Sequence, residues 1–176
     1  MKNKRKICVV VTARPSYSRI KSVLTHIKEH PNLTLQLIIS GTALLDKYGK
    51  TIDIIRNDGF EITEKINSVV DGEGLITMAK TTGLALIELS TAFQNIKPDV
   101  VVTIADRYET ISTAIAASYM NIPLAHIQGG EVTGSIDEKV RHAITKLADL
   151  HFVSNDLAMG RLIKMGEEKN SIYNTG

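Results

Sequence analysis

The sequence lacks the features of several specialised classes of protein. It contains a single cysteine, so no disulfide forms within the chain, and Cys8 lies in an apolar run, which is typical of a buried thiol in a reducing compartment. No apolar run reaches the roughly 18 residues that span a bilayer. The run after the basic start "MKNKRK" covers only residues 7–11, which is too short for a signal peptide. We therefore predict a cytoplasmic protein without a membrane partner.

The sequence also has little net charge, with a formal charge of +2 and a pI near 8.6. This charge is too small to predict a nucleic-acid partner, and the basic start is interpreted as a solvated lead-in to the first strand. The 176 residues, 43% of them hydrophobic, suit one domain with a sizeable core over residues 1–176.

Apolar runs alternate with helical periodicities along the chain. "KICVVVT" and "VVVTIA" are continuous apolar runs, typical of strands that are buried on both faces. The predicted strands cover residues 6–12, 33–39, 60–66, 100–105, 123–127, 150–153 and 171–174. The predicted helices cover residues 16–30, 44–57, 73–96, 108–120, 137–149 and 156–165. This order predicts an α/β fold, a doubly wound parallel sheet of the Rossmann-like type with helices on both faces.

The helix predicted over residues 73–96 carries a stripe of apolar positions at alternating steps of four and three. Such a stripe forms either a coiled-coil seam or the core-facing side of a helix. Gly83 and a threonine within the pattern favour the core. The stripe consists of Leu75, Ala79, Thr82, Leu86, Leu89, Phe93 and Ile96.

Polar segments follow the predicted strands. They are "ARPSYSR" (residues 13–19), "SGT" (40–42), "DRYE" (106–109), "QGGE" (128–131) and "SND" (154–156). Ligands of doubly wound sheets bind beyond the carboxyl ends of the strands, so these segments are expected to converge on one site.

The segment after the first strand is a candidate phosphate site. It lacks the G-x-G-x-x-G pattern of dinucleotide-binding loops, but it places Arg14, Pro15 and Ser16 at the start of a helix. The N–H groups of a helix start suit a phosphate, and an arginine adds a bidentate contact. The alternative is an ordinary helix start with an exposed arginine.

Asp106 and Arg107 directly follow a strongly apolar strand. Asp106 is either a helix cap or a carboxylate at the edge of the site, and the residues alone leave both roles open. Arg107 pairs either with the ligand or with a neighbouring acid.

The stretch "AHIQGGEVTGSIDEKVRH", residues 125–142, is rich in ionisable side chains. It has no zinc-ligand spacing and no cysteine, so no metal is predicted. His126 is either a core histidine or a ligand-binding one, and the Gly-Gly pair permits a sharp turn or a close approach to ligand. Asp137 and Arg141, four residues apart on a helix, form either a surface ion pair or an acid and a cation that face the cleft.

Taken together, these motifs resemble the hydrolysing UDP-N-acetylglucosamine 2-epimerases of sialic-acid biosynthesis and their bacterial relatives. The motifs are "TARPSYSRIKSVL", "SGTALLDKYGKTIDIIRNDGFEI", "ADRYE" and "HIQGGEVTGSIDEKVRHAITKLADLHF". The resemblance implies a homo-oligomeric enzyme of two Rossmann-like domains (a GT-B-like architecture) with the active site between them. This chain matches the N-terminal domain, so the second nucleotide-binding domain is absent from it, and alone it is expected to have little or no turnover.

The resemblance also implies a reaction that needs no redox cofactor. C2 of the nucleotide-sugar substrate loses a proton while the nucleoside diphosphate leaves C1, and water adds to an intermediate that resembles 2-acetamidoglucal. The products are an N-acetylmannosamine-type sugar and free nucleotide. Such a reaction requires a base, an acid and cations for the departing diphosphate.

Family roles are carried over position by position. Asp106 matches the family aspartate that faces the sugar, Asp137 matches a second acidic catalytic residue, and Glu131 matches the glutamate of "GGE". Arg14 matches an arginine near the nucleotide, and Arg141 one beside the acidic pair. The predicted substrate-binding residues are Arg14, Ser16, Arg107, His126 and Arg141.

Gln128 departs from the family pattern, since well-studied members often carry a catalytic glutamate there, in "HIEGGE". A glutamine carries no proton at ordinary pH. Either Glu131 or Asp137 takes over this catalytic role, or this branch uses another sugar nucleotide, GDP-linked or with a 6-deoxy sugar. Two other functions stay open, a glycosyltransferase of the two-Rossmann type and a non-catalytic nucleotide-sugar-binding module.

Overall fold

The computed structural model describes residues 4–72, 74–104 and 107–176, so Asp106 lies outside the described residues. The strands are β1 (Arg5–Val11), β2 (Leu33–Ser40), β3 (Glu64–Ile66), β4 (Val100–Ile104), β5 (Leu124–Ile127), β6 (Leu150–Val153) and β7 (Ile172–Asn174). The α-helices are α1 (Arg14–Glu29), α2 (Thr51–Asn57), α3 (Leu75–Ile96), α4 (Ile111–Tyr119), α5 (Ile136–Leu147) and α6 (Asp156–Lys164). In the described part of the chain, no helix is long and apolar enough to cross a membrane.

The strands form one parallel sheet in the order β3-β2-β1-β4-β5-β6-β7. The chain leaves β1 towards one edge of the sheet and then returns to β4 on the other side of β1. The direction of winding therefore reverses between β1 and β4, which is the topological switch point where such sheets bind ligands. The order confirms the predicted doubly wound parallel sheet.

Successive residues of β1 point into two separate cores. Cys8 and Val10 pack with residues of α3, α4 and α5, whereas Val9 and Val11 pack with residues of α1 and α2. Burial raises the pKa of the Cys8 thiol, which therefore behaves as a small apolar side chain. Burial on both faces explains why this strand is a continuous apolar run in the sequence.

The face that carries α1 and α2 also has an open apolar groove. The groove has a volume of about 630 Å³ and runs over β4, β5 and β6 beside α1. Val102, Ile127 and Phe152 line its floor, and Val23 and Ile27 of α1 line one wall. These strands are thus packed by helices on one face and present apolar side chains on the other.

The helix predicted over residues 44–57 is right only in its second half. Two short 3-10 turns, Gly41–Leu44 and Asp46–Tyr48, precede α2, which begins only at Thr51. Gly49 and Lys50 have φ values of 87° and 45°, and a left-handed backbone interrupts α-helical hydrogen bonding.

The stripe on α3 was predicted to face the core, and it does so only towards the C-terminus of the helix. Leu89 and Phe93 are buried, but Leu75 is exposed. The buried residues of α3 are Thr81, Ala85, Leu89, Ala92 and Phe93. A helix of this length spans about 33 Å, whereas the five residues of β4 span about 17 Å, so the first turns of α3 extend beyond the sheet.

The ends of β1 and β2 meet at the carbonyl oxygen of Thr12. This oxygen accepts hydrogen bonds from the backbone N–H of Ala43 at 3.0 Å and from the Thr42 hydroxyl at 3.2 Å. Gly41 lies against it with a φ of 58°, and a Cβ at this position would stand 2.8 Å from the Thr12 oxygen and 3.1 Å from Oε1 of Glu109. Only glycine fits this junction without displacing backbone.

We predict that Gly41→Ala lowers the free energy of unfolding by about 2 kcal/mol or more, because the left-handed backbone and the backbone contact both penalise a methyl group. Chemical denaturation measures this change. Gly160→Ala is the matched control, since it lies within α6 with no neighbour within 4 Å, and it should raise stability by about 0.5–1 kcal/mol. Equal effects of the two changes would contradict the close approach at Gly41.

Candidate active site

The segments after β1, β2, β4, β5 and β6 contribute the polar side chains at the carboxyl edge of the sheet. The β1 and β4 segments flank the switch point, where Arg14 follows one strand and Arg107 follows the other. A cleft of about 420 Å³ opens beside them, and Thr42, Tyr48, Asp71 and Arg107 contribute to its lining. The predicted convergence of these segments is thus organised around the switch point.

Glu109 is a buried carboxyl group next to this cleft. Its side chain is 3% exposed, and Oε1 accepts a hydrogen bond from Nε of Arg107 at 3.1 Å. Burial raises the pKa of Glu109, while the nearby Arg107 charge opposes the rise. Arg107 is therefore paired with a neighbouring acid, and the same residue also lines the cleft. Sequence reasoning assigned Glu109 no role of its own, and the signal for it was its position two residues after Arg107.

The start of α1 is exposed at Arg14. The helix begins at Arg14, and the preceding Ala13 provides no side-chain cap for the first N–H groups. The Arg14 guanidinium extends towards Gly49, where a Cβ would stand 3.2 Å from Nη1. Ser16 is fully buried, and its hydroxyl has no hydrogen-bond partner among the described residues. Arg14 thus faces solvent at the site, whereas the Ser16 side chain points into the protein.

Gln128 is held in an uncommon backbone conformation. Its φ is 64°, a left-handed value that costs a residue with a Cβ roughly 1 kcal/mol. The backbone N–H donates to the Phe152 carbonyl at 2.8 Å, and the side-chain Oε1 accepts from Nη1 of Arg19 at 3.1 Å. The first bond ties the backbone of Gln128 to β6, and the second ties its side chain to α1. Sequence reasoning missed Arg19, because its contact with Gln128 spans 109 positions.

The turn after Gln128 rests on the ring of His126. A Cβ at Gly129 would stand 3.0 Å from the His126 Nδ1, and one at Gly130 would stand 2.7 Å from the Ala158 carbonyl oxygen. His126 is fully buried, with Nδ1 3.3 Å from the Thr145 hydroxyl. In this arrangement His126 is a core residue that supports the turn, and direct contact with a ligand, the other predicted role, is not available to its ring.

Glu131 and Arg141 are brought together below this turn. Arg141 is buried, and its Nη1 donates to the Glu131 carbonyl oxygen at 3.0 Å. The Glu131 carboxylate accepts a hydrogen bond from the Ser154 hydroxyl at 2.9 Å. Because Arg141 is buried, the surface-ion-pair alternative with Asp137 is wrong.

Asp137 lies in the first turn of α5, where the N-terminal partial charge favours a carboxylate. The Ser135 hydroxyl caps the helix by accepting from the Asp137 N–H at 3.2 Å. The next acid, Glu138, has a different role. Its carboxylate accepts from the N–H groups of Gly134 and Thr133 at 2.6 and 2.7 Å, and these bonds lower the pKa of Glu138.

The carboxyl edge of the sheet thus brings together arginines and carboxyl groups that differ in burial. Glu109 is buried and Glu131 is half-buried, Asp137 lies at a helix start, and Arg14 and Arg107 lie at the switch point. Such a set suits proton transfer next to a leaving anion. Within the described ranges, no group of three or more His, Cys, Asp or Glu side chains is arranged to hold a metal ion.

A doubly wound parallel sheet with acids and arginines beside its switch point defines an α/β domain of the Rossmann-like class, in which ligands bind at that edge. The chain belongs to the UDP-N-acetylglucosamine 2-epimerase family, whose family model matches residues 25–176. This membership confirms the resemblance that the sequence motifs indicated.

Relatives of this chain include hydrolysing epimerases. It is 39% identical to the GDP/UDP-N,N'-diacetylbacillosamine 2-epimerase (hydrolyzing) of Campylobacter jejuni, with 99% of this chain and 45% of that protein covered. It is 37% identical to the UDP-N,N'-diacetylbacillosamine 2-epimerase (hydrolyzing) of Legionella pneumophila, with 98% and 46% covered. A crystal structure of a UDP-N-acetylglucosamine 2-epimerase superposes with a TM-score of 0.86 at 25% identity, with 99% and 48% covered. The chain therefore spans about half the length of the curated relatives it matches.

We predict that His126 makes the protein less stable in mild acid. Burial, followed by the nearby positive charges, lowers the pKa of His126 to about 3 from an ordinary value of 6.5. Below pH 6.5 the unfolded chain therefore binds a proton that the folded chain does not. As the pH is lowered, the free energy of unfolding falls by up to about 1.4 kcal/mol per pH unit.

The measurement compares wild type with His126→Asn, which keeps a polar side chain beside Thr145, by denaturation at pH 7.5 and pH 5. Relative to the variant, wild type should lose about 2 kcal/mol over this interval. A difference between the two proteins that stays constant with pH would contradict a neutral, buried ring.

Proposed function

We propose that this chain forms the sugar-facing domain of a hydrolysing sugar-nucleotide 2-epimerase. The observation that carries the proposal is the meeting of carboxyl groups and arginines at the β1/β4 switch point in a member of the epimerase family. The full product of the gene would convert a nucleoside-diphosphate 2-acetamido sugar into an N-acetylmannosamine-type sugar and a nucleoside diphosphate. We propose that a second Rossmann-like domain completes the nucleotide pocket, since the curated relatives are about twice as long as this chain.

The proposed reaction proceeds by elimination followed by hydration. A carboxylate removes the proton from C2 while the C1–O bond breaks, and the electron pair leaves with the diphosphate. Water then adds its hydroxyl to C1 and a proton returns to C2 on the opposite face, so the net change is consumption of one water. The chain supplies carboxyl groups for the proton steps and arginines for the developing phosphate charge.

Arg14 is the candidate contact for the departing diphosphate. Its exposed guanidinium lies at the start of α1, where the uncapped N–H groups and the helix dipole also favour an anion. Arg107, which Glu109 orients through Nε, presents its charge to the cleft on the other side of the switch point. Two arginines of this kind would stabilise charge that develops only as the bond to C1 breaks.

Asp106 and Asp137 are the proposed proton-transfer residues. Asp106 is assigned by its family match, and Asp137 has support from its position in the first turn of α5. Glu131 is tied to Ser154 through its carboxylate and to Arg141 through its backbone. We therefore propose a positioning role for Glu131, with the proton load at Asp137, because Gln128 carries no proton.

The proposed substrate class is a nucleotide-linked 2-acetamido sugar, and UDP-N-acetylglucosamine and UDP-N,N'-diacetylbacillosamine are its two leading members. The relatives at 39% and 37% identity carry the second sugar in their names. Steady-state release of UDP from the full gene product should therefore be faster with the diacetylated sugar at equal concentrations. A preference for UDP-N-acetylglucosamine would assign the chain to the other branch without changing the reaction.

We predict that Asp106→Asn and Asp137→Asn each lower the rate of nucleotide release by about 10²- to 10⁴-fold, which is the usual contribution of a positioned proton-transfer group. The readout is UDP released by the full gene product at saturating substrate. Asp53→Asn is the matched control, because this aspartate lies on α2 and pairs with Arg56 at the surface, and it should retain the wild-type rate.

Unchanged nucleotide release in either active-site variant would remove that residue from the proposed mechanism. An absolute need for an acceptor molecule would favour the glycosyltransferase alternative, since a hydrolysing epimerase consumes its donor in water alone. Tight binding of UDP-N-acetylglucosamine without turnover would favour the non-catalytic module.

A further inference from the structure

Arg161 of α6 reaches the turn that follows β5. Its Nη1 donates a hydrogen bond to the Gly130 carbonyl oxygen, 31 positions earlier in the chain. The side chain is half-buried, and none of the ion pairs among the described residues includes it. Its guanidinium therefore binds the backbone of the turn and not a neighbouring acid.

The helix that carries Arg161 lies directly against the same turn. A Cβ at Gly130 would stand 2.6 Å from Cδ1 of Leu162 and 2.7 Å from the carbonyl oxygen of Ala158, and both of these residues are buried. The Asn155 side chain caps the helix by accepting from the Ala158 N–H at 2.9 Å. Because α6 is capped and packed at this point, the Arg161 side chain starts from a fixed position.

The peptide group between Gly130 and Glu131 depends on such a contact for its orientation. Gly129 and Gly130 have no Cβ, and Gly130 has a φ of 82°, so the backbone of the turn does not select one orientation by itself. A peptide group is planar and trans, so the Gly130 carbonyl and the Glu131 N–H point in opposite directions. A hydrogen bond from α6 to the carbonyl therefore also sets the direction of the Glu131 N–H.

We propose that Arg161 is a positioning residue, which holds the Gly130–Glu131 peptide in the orientation that the active site needs. The inference rests on the proposed function, because Gln128 and Glu131, on either side of the glycine pair, belong to the candidate site. Arg141 holds the next carbonyl, that of Glu131, at 3.0 Å. Two consecutive peptides of the turn are thus each held by a charged donor from a different helix, and such donors form stronger hydrogen bonds than neutral ones.

Loss of the bond from Arg161 is expected to slow the reaction without weakening substrate binding. The turn carries Gln128 and Glu131, whereas the arginines proposed to contact the diphosphate follow β1 and β4. A displacement of about 1 Å in a positioned group can cost on the order of 100-fold in rate. The effect should therefore appear in kcat and not in KM.

The first test is steady-state nucleotide release by the full gene product. Arg161→Met keeps an unbranched side chain without a donor, and it should lower kcat by about 10- to 100-fold with KM within about threefold of wild type. Arg161→Lys restores a charged donor and should be about fivefold or more faster than Arg161→Met. Lys164→Met changes an exposed residue at the end of the same helix, and this matched control should keep the wild-type kcat. A wild-type kcat in Arg161→Met would overturn the proposal.

The second test does not depend on turnover. Hydrogen–deuterium exchange of the full gene product, measured by mass spectrometry on a peptide that covers residues 125–134, reports how firmly the turn is held. The Gln128 N–H, which donates to the Phe152 carbonyl, should exchange about tenfold or more faster in Arg161→Met than in wild type. Peptides that cover β1 should exchange at the wild-type rate.

The two tests separate the proposal from its alternatives. Unchanged exchange in the turn would overturn it, and so would faster exchange in the turn and in β1 together, which would mean a general loss of stability. Faster exchange in the turn with an unchanged kcat would also overturn it. A wild type that releases no nucleotide would contradict the proposed function, whereas faster exchange confined to the turn would still assign Arg161 to the Gly130 peptide.

Discussion

The carbonyl oxygen of Thr12 fixes the geometry on which the candidate site depends. It accepts hydrogen bonds from Ala43 and Thr42 in the turn that follows β2. It also leaves room only for a glycine at position 41. The Glu109 carboxylate comes to the same point from the other side of the switch. The end of β1 thus joins the segments that flank the cleft, and a displacement there would move the supports of both flanking arginines together.

A second set of long-range contacts holds the loop after β5. Gln128 is bonded to Arg19 on α1, and Glu131 is bonded to Ser154 after β6 and to Arg141 on α5. Each partner belongs to a different element, so the loop is positioned by three independent parts of the fold. This explains how a loop with two consecutive glycines presents a defined arrangement of side chains, since its order comes from its neighbours and not from its own backbone.

The sheet was predicted well from the sequence because buried strands are recognisable there as apolar runs. A strand that is covered on both faces is apolar along its buried part, and residues 8–11 of β1 show this. The prediction failed at residues 44–57, where apolar spacing mimics a helix but Lys50 adopts a left-handed backbone that spacing does not reveal. It failed on the first turns of α3, because the length of the neighbouring strands, not the helix's own periodicity, sets how much of the helix is covered.

The candidate site was predictable to the extent that its residues follow strands. The chain order places Arg14, Arg107 and Glu131 at the carboxyl edge of a parallel sheet, and the structure has them there. The pairing of Arg19 with Gln128 has no local pattern, because it joins residues 109 positions apart. The sequence did not predict whether His126 is buried or contacts a ligand. A strand sequence does not show which of its residues lies beneath the turn that follows it.

The hydrogen bond from Arg19 to Gln128 bears on how this loop can change over generations. An amide and a carboxylate have nearly the same shape, and the codons for glutamine and glutamate differ by a single base. Arg19 can donate to either group, so the loop holds a proton-carrying or a proton-free side chain in the same place without rebuilding its backbone. A single base change at this position would therefore exchange an amide for a carboxylate while the hydrogen bond from Arg19 is kept.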